Sequence, residues 1–365
     1  MAETIGNKAA ELENAQAPLL IQILPRFTPG RCGVTDHATT LADQLLADHA
    51  IETRYAVLGS AIAADDAVCG VTLEHLPGLI AELATGRKAG VLLHMSGYGY
   101  SADGAPTRLA QQWLAIDAGK QYKTAVYFHE LFAMGPPWRK HFWYSWRQRA
   151  AMRQFSAHAE MMLTNTGKHA AWLRRKNPDT HSLRLHQMPV FSTIGESLAY
   201  PAAAREPALV ILGLPGTRAR AYAHLKAHPG LVSLLGIDRV LDVGPEFDAP
   251  RQMDGIQVER QGVVPASELA ALLRRVRFGF AGLPPNALAK SSVFANYCAN
   301  GTIAVTTTAF AGELDGLMDG RELLSPGSLN RAASNGWDAM SKAGWSWYQG
   351  HRASVHAALY SDWLR

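Results

Sequence analysis

The chain has 365 residues, 48% hydrophobic and 18% charged, and a formal net charge of +4 at neutral pH. That length exceeds what one compact core ordinarily serves, so two domains are expected. The small positive balance does not single out nucleic acid as a partner, though it suits anionic ligands such as nucleotide diphosphates.

In chain order, residues 1–17 read as a disordered arm, because Glu3, Glu11 and Glu13 lie among small polar residues without the basic start and apolar stretch of a secretory signal. The first apolar run, Leu19–Leu24, is interrupted far short of the roughly 20 residues that a bilayer crossing needs, and the later runs are likewise broken well before that length. Cys32, Cys69 and Cys298 stand far apart, with no CxxC and no Cys/His ligand spacing. Reduced thiols, a cytoplasmic setting and no structural zinc follow as expectations.

From Leu19 onward short apolar runs alternate with helical spacing. Strands are expected at Leu19–Leu24, Thr53–Leu58, Gly90–His94, Thr124–Phe128 and Met161–Thr164, with helices at Thr35–Ala47 and Pro106–Ala118 between them. The proline and small-residue stretch Tyr200–Pro207 reads as a linker. Beyond it the alternation restarts at Ala208–Leu212, Arg239–Val243, Ile256–Gln261, Arg277–Ala281 and Thr302–Thr306. The class is therefore α/β, with two Rossmann-like doubly wound domains facing a cleft, over residues 18–200 and 201–340. Ligands of such sheets bind beyond the carboxyl ends of the strands, so strand ends are where the site is sought.

The first strand runs into Pro25–His37, where Gly30 and Gly33 permit close backbone approach and the exposed amides of a helix start favour an anion. Asp36 stands where its carboxylate faces a ligand or, equally, caps the helix. Two later strands end in His94–Tyr100 and in His129-Glu130-Leu131-Phe132. Of the two histidines His129 is favoured, as an orienter of a sugar hydroxyl or a proton acceptor. Pro137–Arg149 interleaves Trp138, Phe142, Trp143 and Trp146 with cations. It suits a membrane interface, a sugar-stacking groove or a lipid-linked acceptor, but the plainer expectation is that Trp143 and Trp146 pack inward while the cations point out. In the second half, Gly213–Arg218 opens a helix with a glycine turn and an arginine, and Lys290-Ser291-Ser292 enters the helix Val293–Ala299 with a charge, two hydroxyls and free amides. Both are candidate diphosphate cradles.

The runs Cys32–His37, Tyr98–Tyr100, Phe128–Phe132, Pro189–Ser192 and Lys290–Gly301, in this order and over nearly the whole folded chain, together resemble the large retaining group of bacterial GT-B glycosyltransferases. The resemblance implies an acceptor on the N-terminal domain, a nucleotide diphosphate sugar on the C-terminal domain and closing helices over residues 341–365 that cross back to the first. It implies no cofactor beyond the donor and no metal, in keeping with the lack of an Asp-x-Asp at a strand end. The expected activity is transfer to a hydroxyl of a glycan or lipid-linked glycan, with peripheral membrane contact and no nucleic acid as partner. Expected catalytic residues are His129, Glu130 and Asp36; donor contacts are Gly33, Arg218, Lys290, Ser291, Ser292 and Asn296; acceptor contacts are Tyr98, Tyr100 and Trp138. One departure stands out: two glutamates usual around the donor helix are replaced by Leu288 and Asn296. An inert binding or partner subunit, and a nucleotide-sugar epimerase, are the alternatives on the same architecture.

Overall fold

A computed structural model describes residues 17–59, 66–118, 121–133, 137–138, 140–177, 184–201, 204–329 and 336–365; residues 1–16 of the expected N-terminal arm lie outside them. The chain forms two compact units, one of residues up to Met188 together with Ser354–Arg365, the other of Pro189–Ala353.

The first unit is built on β1 (Leu19–Leu24), α1 (Gly33–His49), β2 (Glu52–Val57), β3 (Val68–Gly70), α2 (Leu76–Ala84), β4 (Ala89–Met95), α3 (Gly97–Tyr100), α4 (Thr107–Ala118), β5 (Lys123–Phe128), α5 (Lys140–Ala157), β6 (Met161–Thr164), α6 (Gly167–Lys176) and β7 (Leu185–Gln187). The seven strands pair in the order β3-β2-β1-β4-β5-β6-β7. Every pairing is parallel. A strand buried on both faces needs apolar side chains throughout, and β1 and β4 are buried at every position. The strand order reverses between β1 and β4, which makes their carboxyl ends the switch point where ligands of such sheets bind.

The last helix, Ala353–Leu364, also belongs to this unit for all but its first residue. It lies against β4 so closely that a Cβ on Gly90 would meet the Leu364 and Trp363 side chains at 2.4 and 2.8 Å. Lys123 and Lys88 donate to the carbonyls of Trp363 and Arg365 at 2.6 Å each, placing cations at the negative end of the helix.

The second unit continues with β8 (Glu206–Leu212), α7 (Pro215–Lys226), α8 (Leu231–Leu234), β9 (Arg239–Val243), β10 (Gln252–Met253), β11 (Ile256–Gly262), α9 (Ala266–Arg275) and β12 (Val276–Phe280). It closes with α10 (Ser292–Ala299), β13 (Ile303–Val305), the hairpin β14 (Glu313–Leu314) and β15 (Leu317–Met318), β16 (Leu323–Leu324) and α11 (Trp337–Gln349); the last helix of the chain is α12. Its sheet runs β10-β11-β9-β8-β12-β13-β16, with its own switch point between β8 and β12. Only β10 is antiparallel to its neighbour. Gly279 in β12 leaves the space that the Tyr297 ring fills, since a Cβ there would stand 2.5 Å from the ring.

The units divide between Met188 and Pro189 rather than in the proline stretch near residue 200. Pro189–Glu196 is held within the second unit by hydrogen bonds: Val190 N donates to Ala289 O, Ser192 N to the Tyr348 hydroxyl, and that hydroxyl to Glu196. A linker signal from composition misses such tethers, which come from groups more than 90 residues away. Of the closing stretch 341–365, the part in α11 belongs to the second unit and only residues from Ser354 to the first.

Candidate functional site

At the switch point of the first unit the sheet carries polar side chains that its apolar surroundings make costly. Gln22, the only polar residue of β1, is fully buried. Its amide nitrogen donates to Ala38 O of α1 at 3.0 Å, and its carbonyl oxygen meets His94 Nε2 at 2.6 Å. His94 Nδ1 lies 3.0 Å from Nε2 of His129, which follows β5 directly. Two more imidazoles join them: His37 of α1, whose ring centre is 5.2 Å from that of His129, and His356 of α12, 6.0 Å from His37. The Tyr127 ring stacks on His129 at 4.4 Å, and its hydroxyl accepts from Asn165 Nδ2 at 2.6 Å. Burial pushes the His129 pKa down to about 3 and those of His94 and His37 well below the ordinary value, with mutual repulsion among the imidazoles acting in the same direction on His94 and His37. His37, His94 and His129 are neutral at physiological pH. Among the described residues no three His, Cys, Asp or Glu side chains are grouped as ligands for one metal ion.

The loop between β1 and α1 is held by α1 itself. The Thr35 hydroxyl donates to Arg26 O and accepts from Thr28 N, and Asp36 accepts from Gly30 N at 2.6 Å. Burial raises the Asp36 pKa and the Gly30 bond counteracts this. One oxygen of the expected catalytic carboxylate therefore clamps Gly30, which sits at φ +72°. Gly33 is exposed at the first position of α1, and a Cβ there would touch nothing, so a ligand has room to approach that backbone. Glu130 is exposed beside His129.

Of the expected acceptor contacts, the Tyr100 hydroxyl turns away from solvent and donates to the carbonyls of Ile23 and His94 at 3.1 and 2.9 Å. Only the rest of that side chain is available to a ligand. Tyr98 is exposed, its hydroxyl accepting from Gln148 of α5. A cavity of about 460 Å³ opens at the carboxyl ends of β1, β2 and β4, lined among others by Pro25, Leu58, Tyr100, Asp103, Arg108 and Arg147. Sequence reasoning missed Asp103, paired with Arg147 at 2.9 Å, because Asp103 stands in no motif and its partner lies 44 residues on. The expectation that Trp143 and Trp146 pack inward is corrected: they are 62% and 66% exposed, and Trp138 is 83% exposed. The inward face of α5 is taken by Ser145, Gln148, Ala151, Met152 and Phe155, one helical turn apart in spacing, so the tryptophans fall on the other face.

In the second unit Gly213 follows β8 at φ +138° and leads into α7. Arg218, expected to meet a diphosphate, is instead fully buried. Its guanidinium donates to Asp242 of β9 and to Pro245 O, while Asp242 also accepts from the Tyr222 hydroxyl at 2.8 Å. This arginine joins two strand-end loops and is not offered to a ligand. Lys290, Ser291 and Ser292 are half-buried at the start of α10, where the Ser291 hydroxyl caps the helix by accepting from Phe294 N at 3.2 Å. Asn296 is 4% exposed and accepts from Thr193 N at 3.1 Å, so its carbonyl oxygen already fixes a loop. Leu288 is fully buried, a position that faces the core.

Neither a protein-family model nor a curated protein matches the sequence. Solved structures do match in fold, over nearly their whole length. An alpha-glucosyltransferase in complex with UDP-glucose and DNA containing an abasic site has a TM-score of 0.59 at 10% identity, covering 95% of this chain and 99% of that one. The pneumococcal O-GlcNAc transferase GtfA in complex with UDP and GlcNAc has a TM-score of 0.59 at 8% identity, covering 96% and 99%. WaaG, a glycosyltransferase involved in lipopolysaccharide biosynthesis, has a TM-score of 0.53 at 13% identity, covering 94% and 99%. The fold is GT-B.

Proposed function

We propose that the chain is a glycosyltransferase that moves a sugar from a nucleotide diphosphate sugar to a hydroxyl of a glycan or lipid-linked glycan. The observation that carries this reading is the placement of His129, a neutral imidazole at the ligand end of the first sheet, in a fold shared with transferases solved with UDP or UDP-glucose. A histidine with a pKa of about 3 is a weak proton acceptor, so it serves to orient a hydroxyl. That role fits retention at the anomeric carbon, in which the departing phosphate itself can take the acceptor proton, and it needs no metal. The anomeric configuration of the product, followed by NMR with and without chelator, tests both points.

The nucleotide diphosphate is assigned to the second unit, with its phosphates at Lys290 and the amides that open α10. UDP at about a hundredfold excess over Kd is expected to raise Tm by about 5–10 °C. Lys290→Ala is expected to weaken UDP binding roughly tenfold or more, through loss of a charge-assisted hydrogen bond. Unchanged affinity in that variant would remove Lys290 from the site. An inert binding subunit is the second reading, favoured by the buried leucine at position 288; it predicts UDP binding without donor consumption.

The exposed tryptophans of α5 and the preceding turn support peripheral contact with a membrane. Co-sedimentation with vesicles containing phosphatidylglycerol is expected for the protein and reduced for the double variant Trp143→Ser, Trp146→Ser. Equal sedimentation of the two would exclude this face.

A further inference from the structure

We propose that Gln22 and His94 are positioning residues that hold His129 in a single tautomer, with hydrogen on Nε2 and the lone pair on Nδ1. The inference rests on the reading that His129 acts on substrate, and goes beyond it in fixing which nitrogen does so.

The direction of every bond in this row is set by a backbone group whose role is invariant. Ala38 O is an acceptor only, so the Gln22 side chain must present its NH2 there, at 3.0 Å. Its other atom, Oε1, is then the one 2.6 Å from His94 Nε2. Two acceptors at that distance repel, so His94 carries hydrogen on Nε2. A neutral imidazole has one N–H, which leaves His94 Nδ1 an acceptor towards His129 Nε2 at 3.0 Å. His129 must supply the hydrogen of that bond, and its Nδ1 therefore carries the lone pair. Flipping Gln22 would set its oxygen against Ala38 O and forfeit that bond, while its NH2 facing His94 Nε2 would only replace the bond the oxygen makes there.

The alternative is a doubly protonated His94, which would donate to both sides and reverse the last link. The neighbours of His94 do not sustain it: Gln22 on β1, His37 on α1, Tyr127 on β5 and His129 present no carboxylate, and His94 is fully buried. A glutamine in the middle of β1 thus matters for what it is not. It has the shape of glutamate and the same acceptor oxygen, but it cannot draw a proton onto His94. The end of the chain is an acceptor nitrogen on His129, which selects a group that donates, a sugar or acceptor hydroxyl, and disfavours a carbonyl or an anion.

The test is long-range ¹⁵N–¹H spectroscopy of the full-length protein with ¹⁵N-histidine at neutral pH, with the His129 signals assigned from His129→Ala. Wild type is expected to show hydrogen on Nε2 of both His94 and His129. Gln22→Glu is expected to protonate His94 fully and move the His129 hydrogen to Nδ1, and Gln22→Leu to leave His129 as a mixture of tautomers. Turnover of a donor should fall at least about tenfold in either variant, with UDP affinity unchanged, as a misassigned tautomer costs turnover rather than binding. Hydrogen on Nδ1 of His129 in wild type overturns the proposal without either Gln22 variant having to fold. So does a Gln22→Leu spectrum identical to wild type. The spectra judge the tautomer alone; if His129→Ala keeps full turnover, the catalytic reading fails whatever the spectra show.

Discussion

Arg218→Ala is expected to destabilise the second unit by about 3–5 kcal/mol, a large share of the roughly 5–15 kcal/mol that keeps a domain folded. The arginine is removed from water, and its loss strands Asp242, whose side chain is only 3% exposed, without a counter-ion. The Tyr222 hydroxyl remains as a partner of Asp242, but a neutral hydrogen bond does not replace the charge. Backbone consequences follow, since the same guanidinium holds Pro245 O, and Gly244 is packed so closely that a Cβ there would stand 2.2 Å from Gly213 O. The double change Arg218→Met, Asp242→Leu should recover much of the loss, because it removes both charges and keeps the volume. Urea melts of the three proteins decide the matter. A single variant that melts like wild type but no longer binds UDP would return Arg218 to the phosphate site.

His129→Ala should reduce donor turnover about a hundredfold while leaving UDP affinity near wild type, because an orienting contact is felt mainly in the transition state. Equal turnover at equal stability would dismiss the histidine. Stability against pH gives a second readout. The folded pKa of His129 is about 3, below the unfolded value of about 6.5, so between these the unfolded chain binds more protons. The stabilisation is complete above pH 6.5 and is lost as pH falls below it, at up to about 1.4 kcal/mol per pH unit for each such imidazole. Removing His129 should make the acid limb of the stability curve shallower, with His94 and His37 still contributing.

The strands and their order of appearance were legible because parallel sheets demand apolar runs, and Leu19–Leu24, Met161–Thr164 and Arg239–Val243 stand where the residues alone place them. His129 was legible for the same reason: a polar side chain at the end of a buried strand is conspicuous. Gln22 carried a readable signal too, a single amide inside an otherwise apolar strand, but its partner His94 is 72 residues away and only the fold brings them together. His356 offered no signal, since nothing in the composition of the last helix tells that one of its faces looks at the first sheet. Arg218 misled because a cation after a glycine turn reads alike whether it faces a phosphate or a buried aspartate on the next strand. The tryptophans of α5 misled because hydrophobic side chains usually go inward, and this helix spends its inward face on smaller residues and Gln148.

The last helix completes the first unit, and this fixes a temporal order during synthesis. All strands of the first sheet are synthesised before the second unit is begun, yet the face of β4 at Gly90 and the His356 side of the histidine cluster stay uncovered until residues 354–365 have been made. The nascent first unit is thus an open intermediate for as long as translation of the second unit takes, on the order of ten to thirty seconds at 5–20 residues per second. Through that interval the part of β4 that Trp363 and Leu364 cover in the finished unit stays open to water.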